Sequence, residues 1–382
     1  MFLFNIIQFH FSVLHGVKSE HLNTRTHVRK TRRFHAGTLF NSHKITGSYK
    51  SSNDVAISEI YDPLLGVWNI TGSMAEEREA HAATILKSGK VLVDGGENLF
   101  GYLTHCEIYD PSTSQWSSAG SMVTSRAYHT VTLLNSGKVL VTGGRTFNSI
   151  ILASCEIYDP DMDTWSLTGN MTVERTRHTA ILLNSGKVLV TSDDSRSEVY
   201  DPITGKWNSL ASMGPIPRYD SVGTLISSAK VLLSGGMQLS KYSTTSEVYD
   251  PTTIEWNPVG NLTTGRRFHS SILSNSGQVL VSGGVGDADY LSSCEIYNPL
   301  TGKWNSTSDM TESRSSHTTT LLSSGKILAT AGYGGAGFLD SSEIYEPSTG
   351  TWTRSEQLAI ARSYHTATVL NSGKILITGG EN

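Results

Sequence analysis

The sequence predicts an all-β fold in which antiparallel four-stranded blades repeat around a closed ring. Three regularities carry that expectation. A unit of about 48 residues recurs along the chain, the seven tryptophans keep step with it, and each unit divides into short β-branched runs separated by turn residues.

The unit is clearest from Glu107 to Gly144. It reads Glu107-Ile-Tyr-Asp-Pro111, a polar turn, Trp116, Gly120-Ser-Met122, Arg126, His129, an apolar run, Ser136-Gly-Lys-Val-Leu-Val141, then Gly143-Gly144. Trp68, Trp116, Trp165, Trp207, Trp256, Trp304 and Trp352 are spaced by 48, 49, 42, 49, 48 and 48 residues. Glu-(Ile/Val)-Tyr triplets start at Glu59, Glu107, Glu156, Glu198, Glu247, Glu295 and Glu343. A histidine stands 13 residues after six of the tryptophans (His81, His129, His178, His269, His317 and His365), and Asp220 takes that place in the fourth unit.

Each element of the unit has a local reason. The alternating run at 129–134 predicts a first strand, ended by the tight turn Asn135-Ser-Gly137. A Val/Leu strand follows at 138–142 and stops at Gly143-Gly144, where glycine opens backbone angles closed to other residues and lets neighbouring blades approach. A third strand is expected at 153–158, an Asp159-Pro160 turn after it, and a fourth at 165–167. Four strands per unit with no helical period point to stacked blades. The recurring Tyr and Trp are expected to bury their rings between blades, on the order of 150–250 Å² each.

Composition bounds the function. Net charge is −4, so the chain as a whole is not built for a polyanion such as nucleic acid. The charge is uneven: residues 1–55 hold eight Lys/Arg against two acids, +6, which leaves −10 for the rest. Residues 1–33 read as a basic extension without the interleaved aromatics that would stack on bases. Met1–Val17 is apolar but broken by Asn5, Gln8, His10 and His15, too short and polar for a spanning helix and lacking a clear cleavage site. A cytoplasmic location is favoured, with secretion the alternative if that stretch is a signal peptide. Cys106, Cys155 and Cys294 each precede a Glu-Ile-Tyr triplet, so they fall in different blades, beyond the roughly 7 Å Cα separation a disulfide allows. Free thiols are expected.

These residues resemble the kelch repeat over about residues 34–382. The marks are the doublets Gly95-Gly96, Gly143-Gly144, Gly235-Gly236, Gly283-Gly284 and Gly379-Gly380, followed by spaced Tyr and Trp. The third unit has Ser192-Asp193 in place of the doublet, and the sixth has Ala331-Gly332. The wording Ser-Gly-Lys-Val-Leu-Val-x-Gly-Gly is also similar to the propeller domain of galactose oxidase and its relatives. The resemblance implies a β-propeller whose usual role is to bind partners.

Permutation sets the blade count. Ile57–Met74 supplies a third and fourth strand and Ser363–Gly380 a first and second. Together they make one closing blade around six complete units, which removes exposed sheet edges and predicts seven blades over 56–382. Residues 34–55 read as a degenerate half-repeat outside the ring, and the chain ends in mid-repeat, as a piece of a longer array would.

Function is expected on one face. The loops joining second to third strands differ most between units, and a regular scaffold with one irregular rim points to the rim. It carries Phe100, Tyr102, Arg145, Phe147, Asp193, Tyr242, Asp287, Asp289, Tyr290, Tyr333 and Phe338. Aromatic and Arg side chains are favoured interface anchors. A single ring on such a loop more often covers its own blade. The short loop of the third unit leaves a notch near Asp193-Asp194. No catalytic set, metal site or cofactor is read. Regularly repeated Arg and Glu are expected to pair at each blade junction rather than form one site, and the histidines to be structural. The expected activity is that of a monomeric protein–protein interaction scaffold for a protein or peptide partner. Carbohydrate binding is the alternative, and a galactose-oxidase-like copper oxidase stands behind both because no cysteine or unique His pair sits on a rim loop.

Overall fold

A computed structural model describes residues 56–191, 196–210 and 218–382. The basic extension, the half-repeat at 34–55 and Asp193 lie outside the described residues.

Seven antiparallel four-stranded sheets account for the described strands apart from four short hairpins. Six blades are contiguous in sequence, at 82–119, 130–167, 179–209, 222–258, 270–306 and 318–354, and are called blades one to six here. In the second, Thr130–Leu133 is innermost, followed outward by Val139–Thr142, Cys155–Asp159 and Thr164–Leu167. These bounds fall within two residues of the sequence expectation. The closing blade takes its inner strands from Thr366–Val369 and Ile375–Thr378 and its outer ones from Glu59–Asp62 and Val67–Ile70. Glu59 pairs with Ile377 and Tyr61 with Ile375, so the two ends of the array are joined by a β-ladder. The inner strands neighbour one another in order, and Thr366–Val369 lies against Ala82–Ile85. The fold is a closed seven-bladed β-propeller.

The core is set by the second strands. Val91–Asp94, Val139–Thr142 and their counterparts are buried along their whole length, flanked by strands on both sides and by blades above and below. Such a strand reads as continuous apolar residues rather than as an alternation. The tyrosine of each triplet is buried between blades: Tyr158 packs with Leu86, Leu92 and Met122 of the preceding unit. Its tryptophan neighbour across the ladder is less covered than the sequence implied. Trp165 is half-buried and donates its indole N–H to the Gly120 carbonyl at 2.9 Å. Among the seven tryptophans only Trp352 is buried. The outermost strand has no neighbouring strand beyond it, so a large ring there keeps one edge in solvent.

The second glycine of the doublet is required by close approach. Gly144 has φ +95°, and a Cβ there would lie 2.7 Å from the Ala127 carbonyl oxygen and 2.8 Å from the His129 Cβ. The three cysteines are buried free thiols in the third strands. Burial pushes Cys155 and Cys294 up to about 12, which leaves them as unreactive thiols.

Candidate functional site

Each blade is pinned by an ion pair that the sequence pattern anticipated. Arg126 donates from Nη1 to the Gly143 and Ser154 carbonyls at 2.7 and 3.0 Å and from Nη2 to Glu156 at 2.7 Å. Glu156 also accepts the backbone N–H groups of Val123 and Thr124. The Arg126 carbonyl meanwhile accepts the N–H of Gly96 in the preceding blade at 2.8 Å. One residue thus ties the connection to both blades: both terminal nitrogens of its guanidinium are engaged, while its buried Nε has no hydrogen-bond partner among the described residues. Arg78–Glu107, Arg175–Glu198, Arg266–Glu295, Arg314–Glu343 and Arg362–Glu59 repeat the pair at 2.7 to 3.0 Å.

The fourth blade corrects the sequence reading. Its arginine is Arg218, which meets Glu247 at 2.7 Å. It escapes the repeat because it stands 11 rather than 10 residues after its tryptophan. The same one-residue shift means that Ser221, not Asp220, holds the histidine place. Asp220 falls one position earlier, on the ring described below.

The histidines are hydrogen-bonded between blades. His178 Nε2 meets the Thr130 and Thr142 hydroxyls at 2.9 and 2.7 Å, and His81 meets Thr366 and Thr378. His269 and His317 reach Ser234 and Ser282 in the same way. Burial, aided by the nearby arginines, holds His178, His269 and His365 neutral down to about 3. Among the described residues, no three His, Cys, Asp or Glu side chains gather at metal-binding distance.

The incoming connections and the second-to-third loops share a face, because the connection pairs with the loop by backbone hydrogen bonds, as Glu79 does with Glu97 and Ala127 with Arg145. Four of these loops carry two-stranded hairpins that sequence reading missed, at 97–102, 145–151, 237–242 and 333–338. Strands of two residues leave no period to detect.

The structure brings several rim candidates together. Tyr102 meets Phe147 of the next blade edge to face at 5.6 Å between centroids, so this pair spans two blades rather than covering one. Tyr290 lies 5.4 Å from Tyr333, which is 5.0 Å from Phe338. Arg145 pairs with Glu97 at 3.0 Å. Tyr242 lies beside Arg267, 5.7 Å from its guanidinium carbon. Asp287 and Asp289 are exposed at the tip of the fifth loop, and Phe100 is 93% exposed on its hairpin with no ring partner among the described residues. Burial raises the Tyr102 and Tyr290 hydroxyls, helped at Tyr102 by the Glu97 charge and at Tyr290 by Tyr333.

Inside this rim is a second feature that sequence reading did not single out. Ala80, Tyr128, Arg177, Asp220, Phe268, Ser316 and Tyr364 occupy one repeat position, each with φ between 50 and 56°. That left-handed conformation is unfavourable for bulky residues. Hydrogen bonds run around the axis through them: Tyr128 N–H to Ala80 C=O at 2.9 Å, Arg177 to Tyr128 at 2.8 Å, Ser316 to Phe268 at 2.9 Å and Tyr364 to Ser316 at 3.3 Å. Their side chains meet across the mouth of the central channel. The Tyr364 ring lies 6.5 Å from Tyr128 and 6.3 Å from Phe268, both edge to face. Arg177 lies over Tyr128 at 4.4 Å and over Phe268 at 5.7 Å, Arg145 over Tyr128 at 4.3 Å, and Arg267 over Phe268 at 4.7 Å. Burial raises the Asp220 carboxyl even beside Arg177 and Arg267. The signal available in the sequence was the residue before each histidine, where small, aromatic and charged types alternate without a repeat rule.

Among the described residues, no helix is long and apolar enough to cross a membrane. Comparison with known proteins agrees with the architecture. Residues 125–172 and 266–311 match the family model of the kelch motif. A search of curated proteins by sequence finds no match. The chain is similar in structure to a fungal alcohol oxidase of the AA5 family in complex with copper, with TM-score 0.64 and 17% identity over 80% of this chain and 74% of that one. It is similar also to YjhT, with TM-score 0.58 and 14% identity over 74% of this chain and 98% of that one. At these identities the likeness speaks for the fold. The copper is that oxidase's own; here the histidine Nε2 atoms meet hydroxyl groups or Asp94 between blades. The matched segments are the second and fifth of seven blades built on one plan, and the chain is a kelch-repeat β-propeller.

Proposed function

We propose that the protein is an interaction scaffold that takes a protein or peptide segment on the face bearing the second-to-third strand loops. The observation that carries this reading is the contrast between the two faces. One repeats the same short turns, closed by Lys–carboxylate pairs such as Lys138–Asp159 at 2.9 Å and Lys230–Asp250 at 2.8 Å. The other differs from blade to blade and gathers partly exposed rings into contacts between neighbouring loops, Tyr102 with Phe147 and Tyr290 with Tyr333. Aromatic and Arg side chains on a rigid frame supply contact area with little loss of conformational entropy.

The test is affinity capture with the full chain, beside a variant with Phe100, Tyr242 and Tyr290 changed to Ala and another with Lys138 and Lys230 changed to Ala on the opposite face. A protein retained by the wild type and by the lysine variant but lost from the rim variant is the expected result. Equal retention by all three, or binding only on a glycan array, overturns it.

A further inference from the structure

We propose that the face opposite the variable loops is a peripheral membrane-docking surface, which seats the propeller on the interface of a zwitterionic lipid bilayer by the aliphatic tips Leu64, Ile203 and Leu300. Seated so, the loop-bearing face points away from the bilayer and stays free for a partner.

Each of the three side chains follows the proline of the turn between third and fourth strands, in the closing, third and fifth blades. They are 92, 95 and 95% exposed. The same bond holds each tip: the N–H of Leu64 to Asp62 Oδ1 at 3.0 Å, of Ile203 to Asp201 Oδ1 at 3.0 Å and of Leu300 to Asn298 Oδ1 at 2.9 Å. Turns of one geometry, at equivalent places around a closed ring, share a plane across its axis. Around the seven blades the tips stand three, two and two blades apart, so the axis passes inside the triangle they form. Leu65, Met162 and Ile254 add exposed apolar surface on turns of the same face. Single exposed apolar residues are ordinary. Three at one repeat position, coplanar and almost wholly uncovered, form a contact surface.

That arrangement selects the occupant. A peptide or a compact domain covers neighbouring tips, whereas a planar fluid surface meets all three corners at once. The charge on this face agrees. Six lysines of the first-to-second turns pair with six carboxylates of the third-to-fourth turns at 2.8 to 3.3 Å. The remaining Lys87, Lys206 and Lys303 are balanced by Asp161, Asp163 and Glu255, so these turns carry no net charge. The net −10 of residues 56–382 therefore lies on the other surfaces. A neutral face approaches zwitterionic headgroups without repulsion. Its paired lysines, 41–49% exposed, stay hydrated at headgroup level while the tips reach the acyl boundary. A second copy packed face to face would instead bury those pairs and incur their desolvation.

The experiment floats the full chain with phosphatidylcholine vesicles through a sucrose gradient. Neutral lipid is chosen because the eight Lys/Arg of residues 1–55 would be drawn to anionic lipid by themselves. The wild type is compared with a turn variant, Leu64→Ser with Ile203→Ser and Leu300→Ser. Serine is what blades one and six carry at this place, as Ser112 and Ser348. A loop-face variant, Phe100→Ser with Leu239→Ser, removes side chains exposed to 93 and 76%. Thermal melting checks that each is folded, and analytical ultracentrifugation without lipid gives the oligomeric state. The expected result is a wild type that floats, a partition coefficient about tenfold or more lower for the turn variant, and no change for the loop-face variant. A wild type that stays at the bottom of the gradient, a turn variant that floats equally, or a loss shared by the loop-face variant overturns the docking surface. A lipid-free dimer that the turn variant converts to monomer, with no vesicle binding, assigns the face to a second copy and overturns the lipid.

Discussion

The Nε2 atom of His129 lies 2.5 Å from the Asp94 carboxylate, where every other blade ends its second strand in a hydroxyl, as Thr142 does beneath His178 at 2.7 Å. Asp94 is fully buried and its second oxygen has no hydrogen-bond partner. An unsatisfied buried oxygen costs about 1–3 kcal/mol. Asp94→Thr restores the hydroxyl of the other six blades. It should leave stability unchanged or raise it by about 1 kcal/mol, read from urea unfolding at pH 7. A loss above about 2 kcal/mol would mean that the carboxylate–imidazole pair stabilises this junction.

The remaining histidines set a pH dependence. His178, His269 and His365 are held at about 3 by burial, against about 6.5 for an exposed imidazole. Between those values the unfolded chain binds protons that the folded chain refuses, so stability is fully present above pH 6.5 and is lost as pH falls below it. Each group contributes about 1.4 kcal/mol per pH unit in that window. The urea midpoint should be level from pH 8 to 7 and fall steeply between pH 6.5 and 5, above the range of carboxylate titration. A midpoint that is flat down to pH 5 would show that the imidazoles charge in place.

The blade plan was legible because its determinants are local and repeated. Val139–Thr142 announces a strand buried on both faces, Asp159-Pro160 a turn, and Gly143-Gly144 a close approach. Seven copies made the register unmistakable. What escaped was what the repeat does not enforce. Arg218 was hidden by one added residue before it, and Asp220 was assigned the histidine place for the same reason. The hairpins at 145–151 and 237–242 are too short to show alternation. The axial cluster of Tyr128, Arg177, Phe268 and Tyr364 joins side chains from four blades whose sequence separations reach 236 residues. Only ring closure puts them together.

Arg218 gives a graded test of the junction pairs. Arg126 and Glu156 both have side chains at 0% exposure, whereas Glu247 opposite Arg218 is 18% exposed. Removing one partner of a buried pair leaves a stranded charge, at a cost of about 3–5 kcal/mol. Arg126→Met should therefore destabilise by about that amount. Arg218→Met should cost less, because water reaches Glu247. Equal losses in urea denaturation would indicate that the backbone bonds of the arginine, rather than the carboxylate left behind, dominate the penalty.

Tyrosine and tryptophan should also separate, although the repeat carries both with equal regularity. Tyr158 is 1% exposed, lies in the cluster with Leu86, Leu92 and Val139, and donates its hydroxyl to Asp163 at 2.8 Å. Trp165 covers the edge of the same cluster and keeps part of its ring in solvent. Truncating a large buried aromatic costs about 3–5 kcal/mol through lost transfer energy and the cavity left behind. Tyr158→Ala should fall in that range. Trp165→Ala should cost about half as much, since its site opens to water instead of leaving a void. Far-UV circular dichroism in urea reads both. A tryptophan loss equal to or above the tyrosine loss would mean that the outer strand, with its Trp165 bond to Gly120, holds neighbouring blades together more firmly than the buried ring does.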